Sequence, residues 1–170
     1  TITGARQKVG NYAGVTVEKK EGHRSYSGYE FVFYDLPGIY SLTAYSLDEV
    51  VARDFILEEK PDVLVDVIDS ANIERNLFLC TQFQELGLPV IGALNLIDEA
   101  ESTGIRINEK LLGDVLGIEM VKTSGRLGTG INALLDAIIR VGKSGETAEQ
   151  RIHYGIEVEN ELSLLEKELL

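Results

Sequence analysis

Residues 61–98 read PDVLVDVIDSANIERNLFLCTQFQELGLPVIGALNLID, a segment with a strand-like run on either side of a helical one. The runs 63–68 and 89–94 are short, mostly apolar and rich in β-branched residues, which is typical of strands buried on both faces. Between them, residues 73–86 have the length of a helix and end at Gly87, a common helix stop signal. This order of patterns predicts two parallel strands joined by a helix.

The alternation of strands and helices continues on both sides of this segment. The spacing of apolar residues predicts helices over 47–59, 108–116 and 131–141, and a short strand is expected over 118–122. Strands that alternate with helices of this length are typical of a three-layer α/β fold with a mostly parallel sheet.

The first part of the chain has a different pattern. The aromatic run 29–34 and the weakly alternating run 15–26 predict two strands joined by a turn at Ser27-Gly28. We expect them to form an antiparallel hairpin at the edge of the sheet. Residues 1–14 are rich in glycine and polar residues, and we expect a loop there.

Composition limits the class of protein. A chain of 170 residues, 44% hydrophobic and 26% charged, is long enough for one folded domain. Its net charge of −12 argues against a nucleic-acid or anionic-membrane surface, because both need dense positive charge. Cys80 is the only cysteine, so no internal disulfide can form. No apolar run approaches the roughly 20 residues that span a bilayer, and no signal peptide is evident.

Three short loops follow predicted strands, at the end where open parallel sheets bind their ligands, and a fourth stands at the start of a strand. Asp35-Leu36-Pro37-Gly38, Asn95-Leu96-Ile97-Asp98 and Thr123-Ser124-Gly125 each follow a strand, and Gly14-Val15-Thr16 stands at the start of the first one. Each loop alone is common and would be explained as a turn or a helix cap. Their order along the chain and their shared position favour a guanine-nucleotide site.

One pair of loops has the chemistry for a nucleotide's phosphate end. The Thr16 hydroxyl can bind Mg²⁺, a cation that prefers oxygen ligands, and Asp35 can hold the same ion through a water molecule. The N–H group of Gly38 can reach a γ-phosphate, because glycine allows the backbone to approach closely. We expect segments 7–16 and 38–46 to order with GTP and to loosen with GDP.

The other loops have the chemistry for a guanine base. The Asp98 carboxylate can accept hydrogen bonds from N1 and N2 of guanine, a pattern that adenine does not present. Asn95 can tie this loop to its neighbours, while Ser124 and the backbone of Gly125 can close over the base.

Several stretches resemble the ferrous iron transporter B family. They are GARQKVGNYAGVTVEKKEG (4–22), DLPGIYSL (35–42), VARDF (51–55), ERNL (74–77) and NLIDEA (95–100). The resemblance extends over residues 1–141 and implies a GTPase domain at the N-terminus of a bacterial or archaeal membrane protein that imports Fe²⁺. It implies GTP and GDP as ligands, Mg²⁺ as cofactor, and slow hydrolysis that regulates or gates iron import.

The resemblance also implies a place and a partner for the domain. The domain would lie at the cytoplasmic face of the membrane, be soluble by itself, and act on the iron-permease domain of the same polypeptide; a homo-oligomer stays open. Residues 142–150 are expected to be a linker. The amphipathic pattern of 151–170 fits either a helix packed on its own domain or the first helix of the regulatory helical module that follows the G domain in that family.

The motifs and the resemblance together define a candidate nucleotide site. Thr16, Asp35 and Gly38 are its candidate catalytic residues, and Thr16 and Asp35 its metal ligands. The nucleotide-binding set comprises Gly14, Val15, Thr16, Val17, Glu18, Asp35, Leu36, Pro37, Gly38, Asn95, Leu96, Ile97, Asp98, Ser124, Gly125 and Arg126.

The sequence departs from the GTPase pattern at three points. The phosphate-binding loop G-x-x-x-x-G-K-[ST] is expected just before Thr1 and is absent, together with its strand, which indicates an N-terminally truncated sequence. Leu96 stands where most GTPases have a lysine. Ile39 replaces the glutamine that orients water in Ras-like proteins, so we predict slow hydrolysis. The family suggests K⁺ as an added cation, although its asparagine ligand would lie in the missing loop.

Three other interpretations compete with an N-terminally truncated GTPase domain. AIIRVGKS (137–144) fits a loosened phosphate-loop pattern and would suggest a circularly permuted GTPase, but a helix is expected there instead of a strand and loop. A nucleotide-free pseudo-GTPase that serves as an interaction module stays open. So does a soluble GTPase of ribosome or tRNA maturation, although the acidic charge and residues 14–22 argue against it.

Overall fold

The centre of the structure is a parallel sheet with the strand order β4-β5-β6, formed by Leu64–Asp69, Val90–Asn95 and Glu119–Lys122. The structure is a computed structural model that describes residues 2–3, 7–12, 17–43, 45–144 and 155–169. Leu64 pairs with Val90, and Ile91 pairs with Glu119. The carboxyl ends of the three strands therefore lie at one edge, as predicted for an α/β fold.

Helices pack on both faces of this sheet. The helices that the structure describes are α1 (Leu47–Glu59), α2 (Ile73–Glu85), α3 (Ile97–Ser102), α4 (Glu109–Leu116), α5 (Ile131–Ser144) and α6 (Ile156–Leu169), of which α1, α2 and α5 supply core residues on these faces. The core on one face includes Ile56 of α1 and Phe83 of α2. On the other face, Leu134 and Ala137 of α5 pack on Ile91. The helices predicted from apolar spacing are confirmed, to within a few residues at their ends.

A second, antiparallel sheet has the order β1-β2-β3, formed by Gln7–Asn11, Glu18–Tyr26 and Tyr29–Asp35. The predicted hairpin between β2 and β3 is confirmed, and the turn at Ser27-Gly28 has positive φ at both residues. The prediction of a loop over residues 1–14 is wrong for β1. Val9 is 64% exposed, so β1 forms by backbone pairing with β2, and apolar alternation gives little signal for such a strand.

Three other parts of the chain bear on the sequence analysis. Helix α3 was not predicted, because its six residues are too few to show helical periodicity. Helix α5 continues through Lys143 and Ser144, so the pattern AIIRVGKS is helical and cannot form a phosphate loop. Helix α6 confirms the helix expected after the linker, and residues 145–154 lie outside the described residues. Within the described part of the chain, no helix is long and apolar enough to cross a membrane.

A buried carboxyl group lies between β4 and α2. The Cys80 thiol donates a hydrogen bond of 2.8 Å to Oδ2 of Asp66, and both residues are buried beside the apolar core. Burial raises the pKa of Asp66 above its ordinary value, although the Cys80 thiol opposes this change. Cys80 therefore belongs to the main apolar core.

We predict that Asp66→Asn stabilises the fold at neutral pH by on the order of 1 kcal/mol, because a buried carboxylate is costly and the amide is neutral. As pH rises, the unfolded chain releases the Asp66 proton first. The free energy of unfolding is therefore unaffected by Asp66 below the pKa of the unfolded chain. It falls as pH rises from that pKa to the raised pKa of the folded protein, and stays reduced at higher pH. Urea unfolding of both proteins between pH 3 and pH 8 measures this loss, which Asp66→Asn should abolish.

Asp69, at the end of the same strand, provides a control, because its pKa is shifted in the opposite direction. The Asn72 side chain and the Ala71 backbone N–H hold its pKa below the ordinary value. Its contribution to stability is therefore present above the unfolded pKa and is lost as pH falls through the folded one. Asp69→Asn should lower stability at neutral pH; a gain in this variant, or a loss in Asp66→Asn, would contradict the assignment.

Candidate functional site

The start of β2 and the end of β3 form one wall of a cleft of about 430 Å³. The sheet register pairs Lys20 with Asp35 and so brings the two segments together. The cleft is lined by Val17, Glu18, Lys20, Asp35, Leu36, Pro37 and Gly38. The predicted motif Asp35-Leu36-Pro37-Gly38 thus shares one cleft with Val17 and Glu18.

Tyr12 connects this cleft to the core. Its backbone N–H donates to the Val17 carbonyl at 3.0 Å, and its hydroxyl donates to the Asp35 carbonyl at 3.3 Å. Its ring packs edge-on against Phe55 of α1, with 5.6 Å between centroids. The residues that flank the predicted Gly14-Val15-Thr16 are thereby held beside Asp35. Gly14, Val15 and Thr16 themselves lie outside the described residues.

The loop after Gly38 is attached to α2. The guanidinium of Arg75 lies 3.7 Å from the centroid of the Tyr40 ring, a cation–π contact. The backbone N–H of Leu42 donates to Oε1 of Gln82 at 2.8 Å. Ile39 packs against the main apolar core. Its side chain therefore serves the fold, which agrees with the prediction that it does not orient a water molecule.

The loops after β5 and β6 lie side by side at the edge of the parallel sheet. Oδ1 of Asn95 accepts a hydrogen bond of 3.0 Å from the Gly125 backbone. The Ile97 backbone donates to the Thr123 carbonyl at 3.3 Å. Leu96, between them, adopts a left-handed backbone with φ of 57° and turns the chain into α3. Asn95 thus joins the two loops, the role that the sequence suggested for it.

Asp98, at the start of α3, faces the loop after β6. Its side chain is only 16% exposed, and its Oδ2 atom accepts a hydrogen bond from the guanidinium of Arg126. The Ser124 hydroxyl and the Arg126 guanidinium hold the pKa of Asp98 below its ordinary value. The carboxylate is therefore ionised at neutral pH. Its Oδ1 atom is buried and makes no hydrogen bond of normal geometry to any described residue.

The turn between β4 and α2 connects the two groups of site residues. The Ser70 backbone donates to the Asn95 carbonyl at 3.0 Å. Helix α2 begins three residues later and carries Arg75, which holds Tyr40 in the loop after Gly38. The predicted residues that the structure describes thus form two groups, at the end of β3 and at the ends of β5 and β6, and α2 contacts the loop of the first group.

Some residues of the site were missed by sequence reasoning. Lys20 is not among the residues predicted for the site, yet it lines the cleft of Asp35 and forms an ion pair with Glu18 at 3.5 Å. Its position opposite Asp35 follows from the hairpin register, which the turn at Ser27-Gly28 could have indicated. The contacts of Tyr12 and Arg75 join distant parts of the chain and leave no local signal.

Comparison with known proteins gives consistent matches. A family model described as ferrous iron transport protein B matches residues 1–138. The Fe(2+) transporter FeoB of Shigella flexneri is 46% identical over 170 residues, which cover 98% of this chain and 22% of that protein. The chain spans 20–22% of the length of such curated relatives.

Solved structures agree with the sequence matches. The cytosolic domain of the T. maritima FeoB iron transporter in its GMPPNP form has a TM-score of 0.90 at 41% identity, covering 97% of this chain and 65% of that one. The GDP form I of the same domain has a TM-score of 0.89 at 41% identity, covering 97% of this chain and 64% of that one. This chain therefore belongs to the ferrous iron transport protein B family and has the α/β fold of its G domain.

Proposed function

We propose that this chain binds guanine nucleotide and takes part in slow hydrolysis of GTP to GDP and phosphate. The observation that carries the proposal is the ionised, mostly buried Asp98 carboxylate, whose Oδ1 atom makes no hydrogen bond of normal geometry to the described residues, although the Ser124 hydroxyl helps to lower its pKa. A buried polar atom without a partner is rare, and it indicates a place where a ligand can donate. The T. maritima relative was solved in GMPPNP and GDP forms, which supports the same class of ligand.

The base-binding loops have donors and acceptors that suit guanine. Asp98 would accept from N1 and N2 of the base, and the Ser124–Arg126 segment would close over it. Leu96 offers no charge but could pack on the edge of the base. Since Asn95 already bonds to Gly125, the two loops are held in place before a base arrives, and less conformational entropy is lost on binding.

The cleft beside β3 suits the phosphate end of the nucleotide. Asp35 supplies a carboxylate, the oxygen ligand that Mg²⁺ prefers, and we assign Thr16 as the second protein ligand. Bound Mg²⁺ would offset negative charge on the phosphates. Gly38 is exposed, and a Cβ atom added there would meet no heavy atom within 4 Å, so its N–H can be approached closely by a γ-phosphate.

We further propose that a phosphate-binding loop and its strand stand before Thr1 in the natural protein. Two features of the described strands support this. Strands β3 and β4 each lie at the end of their sheet, so each has an edge free of strand pairing among the described strands. Val67 of β4 is 57% exposed, although the strand continues the apolar pattern of a buried one. A strand between β3 and β4 would pair with both free edges, and a helix after that strand would cover Val67.

Hydrolysis is expected to be slow. Ile39 packs on the core and has no polar atom with which to orient water. Catalysis would therefore depend on positioning and charge stabilisation by Thr16, Asp35 and Gly38. K⁺ is proposed as an added cation, as the family suggests.

The domain is proposed to regulate or gate import of Fe²⁺ by the membrane domain of the same polypeptide, at the cytoplasmic face. The division into a GTPase domain (1–141), a linker (142–150) and the first helix of a helical module (151–170) is part of this proposal, with the correction that residues 142–144 continue helix α5. Relatives that are Fe(2+) transporters and extend far beyond this segment support it.

The experiment is a substitution of Thr16 in the natural protein that contains this chain. Thr16→Ala should weaken Mg²⁺-dependent binding of a non-hydrolysable GTP analogue by about tenfold or more, because one metal ligand is lost. GDP binding should change little, since the threonine is assigned to the GTP form only. Fluorescent analogues of both nucleotides, titrated with and without Mg²⁺, measure the two effects.

Thr81→Ala is the matched control for this experiment. Thr81 lies on α2, and its hydroxyl only bonds to the Phe78 carbonyl of the same helix. Both nucleotides should bind this variant like the unaltered protein. Equal losses for GTP analogue and GDP in Thr16→Ala would contradict the role given to Thr16.

A further inference from the structure

The Arg126 side chain binds the Asp98 carboxylate, and guanine binding does not require this contact. Its guanidinium donates to Oδ2 of Asp98, while the Arg126 side chain itself is 65% exposed. The two residues lie 28 positions apart, and the ion pair joins the start of α3 to the loop after β6.

The two groups that would bind Asp98 are chemically alike. A guanidinium presents parallel N–H donors in a planar fork, and the N1 and N2 hydrogens of guanine form a similar pair on one edge of the base. A carboxylate that receives both base hydrogens needs both of its oxygens. Arg126 already binds Oδ2, and Oδ1 is buried and makes no hydrogen bond of normal geometry to the described residues. Arg126 and guanine are therefore competitors for one acceptor.

The loop that carries Arg126 does not need this ion pair to keep its shape. The Ser124 backbone donates to the Thr129 carbonyl at 3.1 Å, and the Gly128 backbone donates to the Ser124 carbonyl at 2.8 Å. The Leu127 backbone donates to the Ser124 hydroxyl at 3.1 Å. These bonds use the backbone and a buried serine, so the Arg126 side chain can leave Asp98 while the loop stays closed.

We propose that Arg126 is an internal competitor that covers the Asp98 carboxylate, must be displaced by the incoming guanine base, and thereby limits how fast and how tightly the nucleotide binds. This proposal rests on the proposed function, since it takes Asp98 as the reader of the base. Arg126 is accordingly a gating residue at the base pocket, and the role is carried by its side chain rather than by the loop backbone.

The test is Arg126→Ala in the natural protein. Because an ion pair with an exposed partner is weak, its removal should raise guanine-nucleotide affinity only modestly, by about two- to fivefold. The gain should appear in the association rate measured by stopped flow with a fluorescent GDP analogue, since the carboxylate no longer has to be uncovered. Added salt should raise the rate of the unaltered protein toward that of the variant, because it screens the exposed pair.

A double-variant cycle connects the effect to Asp98. In the Asp98→Asn background the charge that holds Arg126 is gone, so Arg126→Ala should leave the binding of a fluorescent xanthosine diphosphate analogue unchanged. Arg140→Ala is the matched control. That arginine is 61% exposed and pairs with Glu119 on the opposite end of β6, so its loss should not alter nucleotide binding.

The outcomes separate this inference from the function on which it rests. Lower or unchanged guanine affinity in Arg126→Ala would overturn the proposed competition. Lower affinity would indicate that Arg126 contacts the nucleotide. A gain of equal size in the Asp98→Asn background would also overturn it. If Asp98→Asn fails to bind xanthine nucleotide, the assignment of the base site fails, and the competition fails with it.

Discussion

Asp98→Asn is expected to reverse the base preference of the natural protein from guanine to xanthine nucleotides. Guanine offers N–H donors to a carboxylate, whereas an amide presents one oxygen and one NH₂ group. Xanthine has a carbonyl oxygen where guanine has the N2 amine, and this oxygen can accept from the new amide. The amide oxygen can still accept from N1, but the hydrogen bond to N2 is lost and an NH₂ group faces that amine, which predicts a decrease in guanine affinity of about 10- to 100-fold.

Competition binding with guanosine and xanthosine diphosphates measures both halves of the prediction. Glu99→Gln is the matched control, because it removes one negative charge at the neighbouring, exposed position of the same short helix. It should leave the ratio of the two affinities unchanged. If Asp98→Asn weakens both nucleotides equally, then Asp98 supports the loop but does not read the base.

Gly130→Ala is expected to destabilise the fold by about 2–5 kcal/mol, a large part of a typical domain's stability. Gly130 has φ of 77°, a backbone conformation that costs other residues about 1–2 kcal/mol. A Cβ atom there would also overlap the Lys122 carbonyl oxygen, and such overpacking costs about 1–3 kcal/mol more. Because the clash is with backbone, no side-chain rotation relieves it.

Gly128→Ala separates the two contributions. Gly128 has a similar φ of 69°, but an added Cβ would meet no heavy atom within 4 Å. This variant should lose only the 1–2 kcal/mol of backbone strain. The urea midpoints of the two variants of this chain give the difference, and equal losses would show that the Lys122 contact is readily relieved. Since Lys122 leads into Thr123 and Ser124, Gly130→Ala should also weaken base binding.

The parallel part of the fold could be predicted because its signals are local. In 61–98, each buried strand carries its own apolar run, and α2 shows its own periodicity and stop signal. The base-side loops were found for the same reason, since Asn95 and Asp98 directly follow β5 in sequence. Motifs of this kind place the functional residues at the carboxyl ends of strands, whatever the details of packing.

Predictions failed where structure depends on distant partners. Strand β1 has no apolar face of its own, because it forms at the exposed edge of β2 and its pairing with Glu18–Gly22 supplies its hydrogen bonds. Among the described strands, the three at that side pair with one another and none of them pairs with β4-β5-β6. Both features depend on contacts between segments that are distant in sequence, and composition and residue spacing carry no information about such contacts.

By itself, the sequence determined the α/β class, the order of most of its helices and strands, and the loops that carry Asp35, Asn95 and Asp98. Only the tertiary structure decided which side chains lie together: Lys20 in the same cleft as Asp35, Arg75 over the Tyr40 ring, and Arg126 on Asp98. The physical reason is range. Hydrophobic periodicity acts over neighbouring residues, whereas an ion pair between loops 28 positions apart exists only after the sheet has brought the loops together.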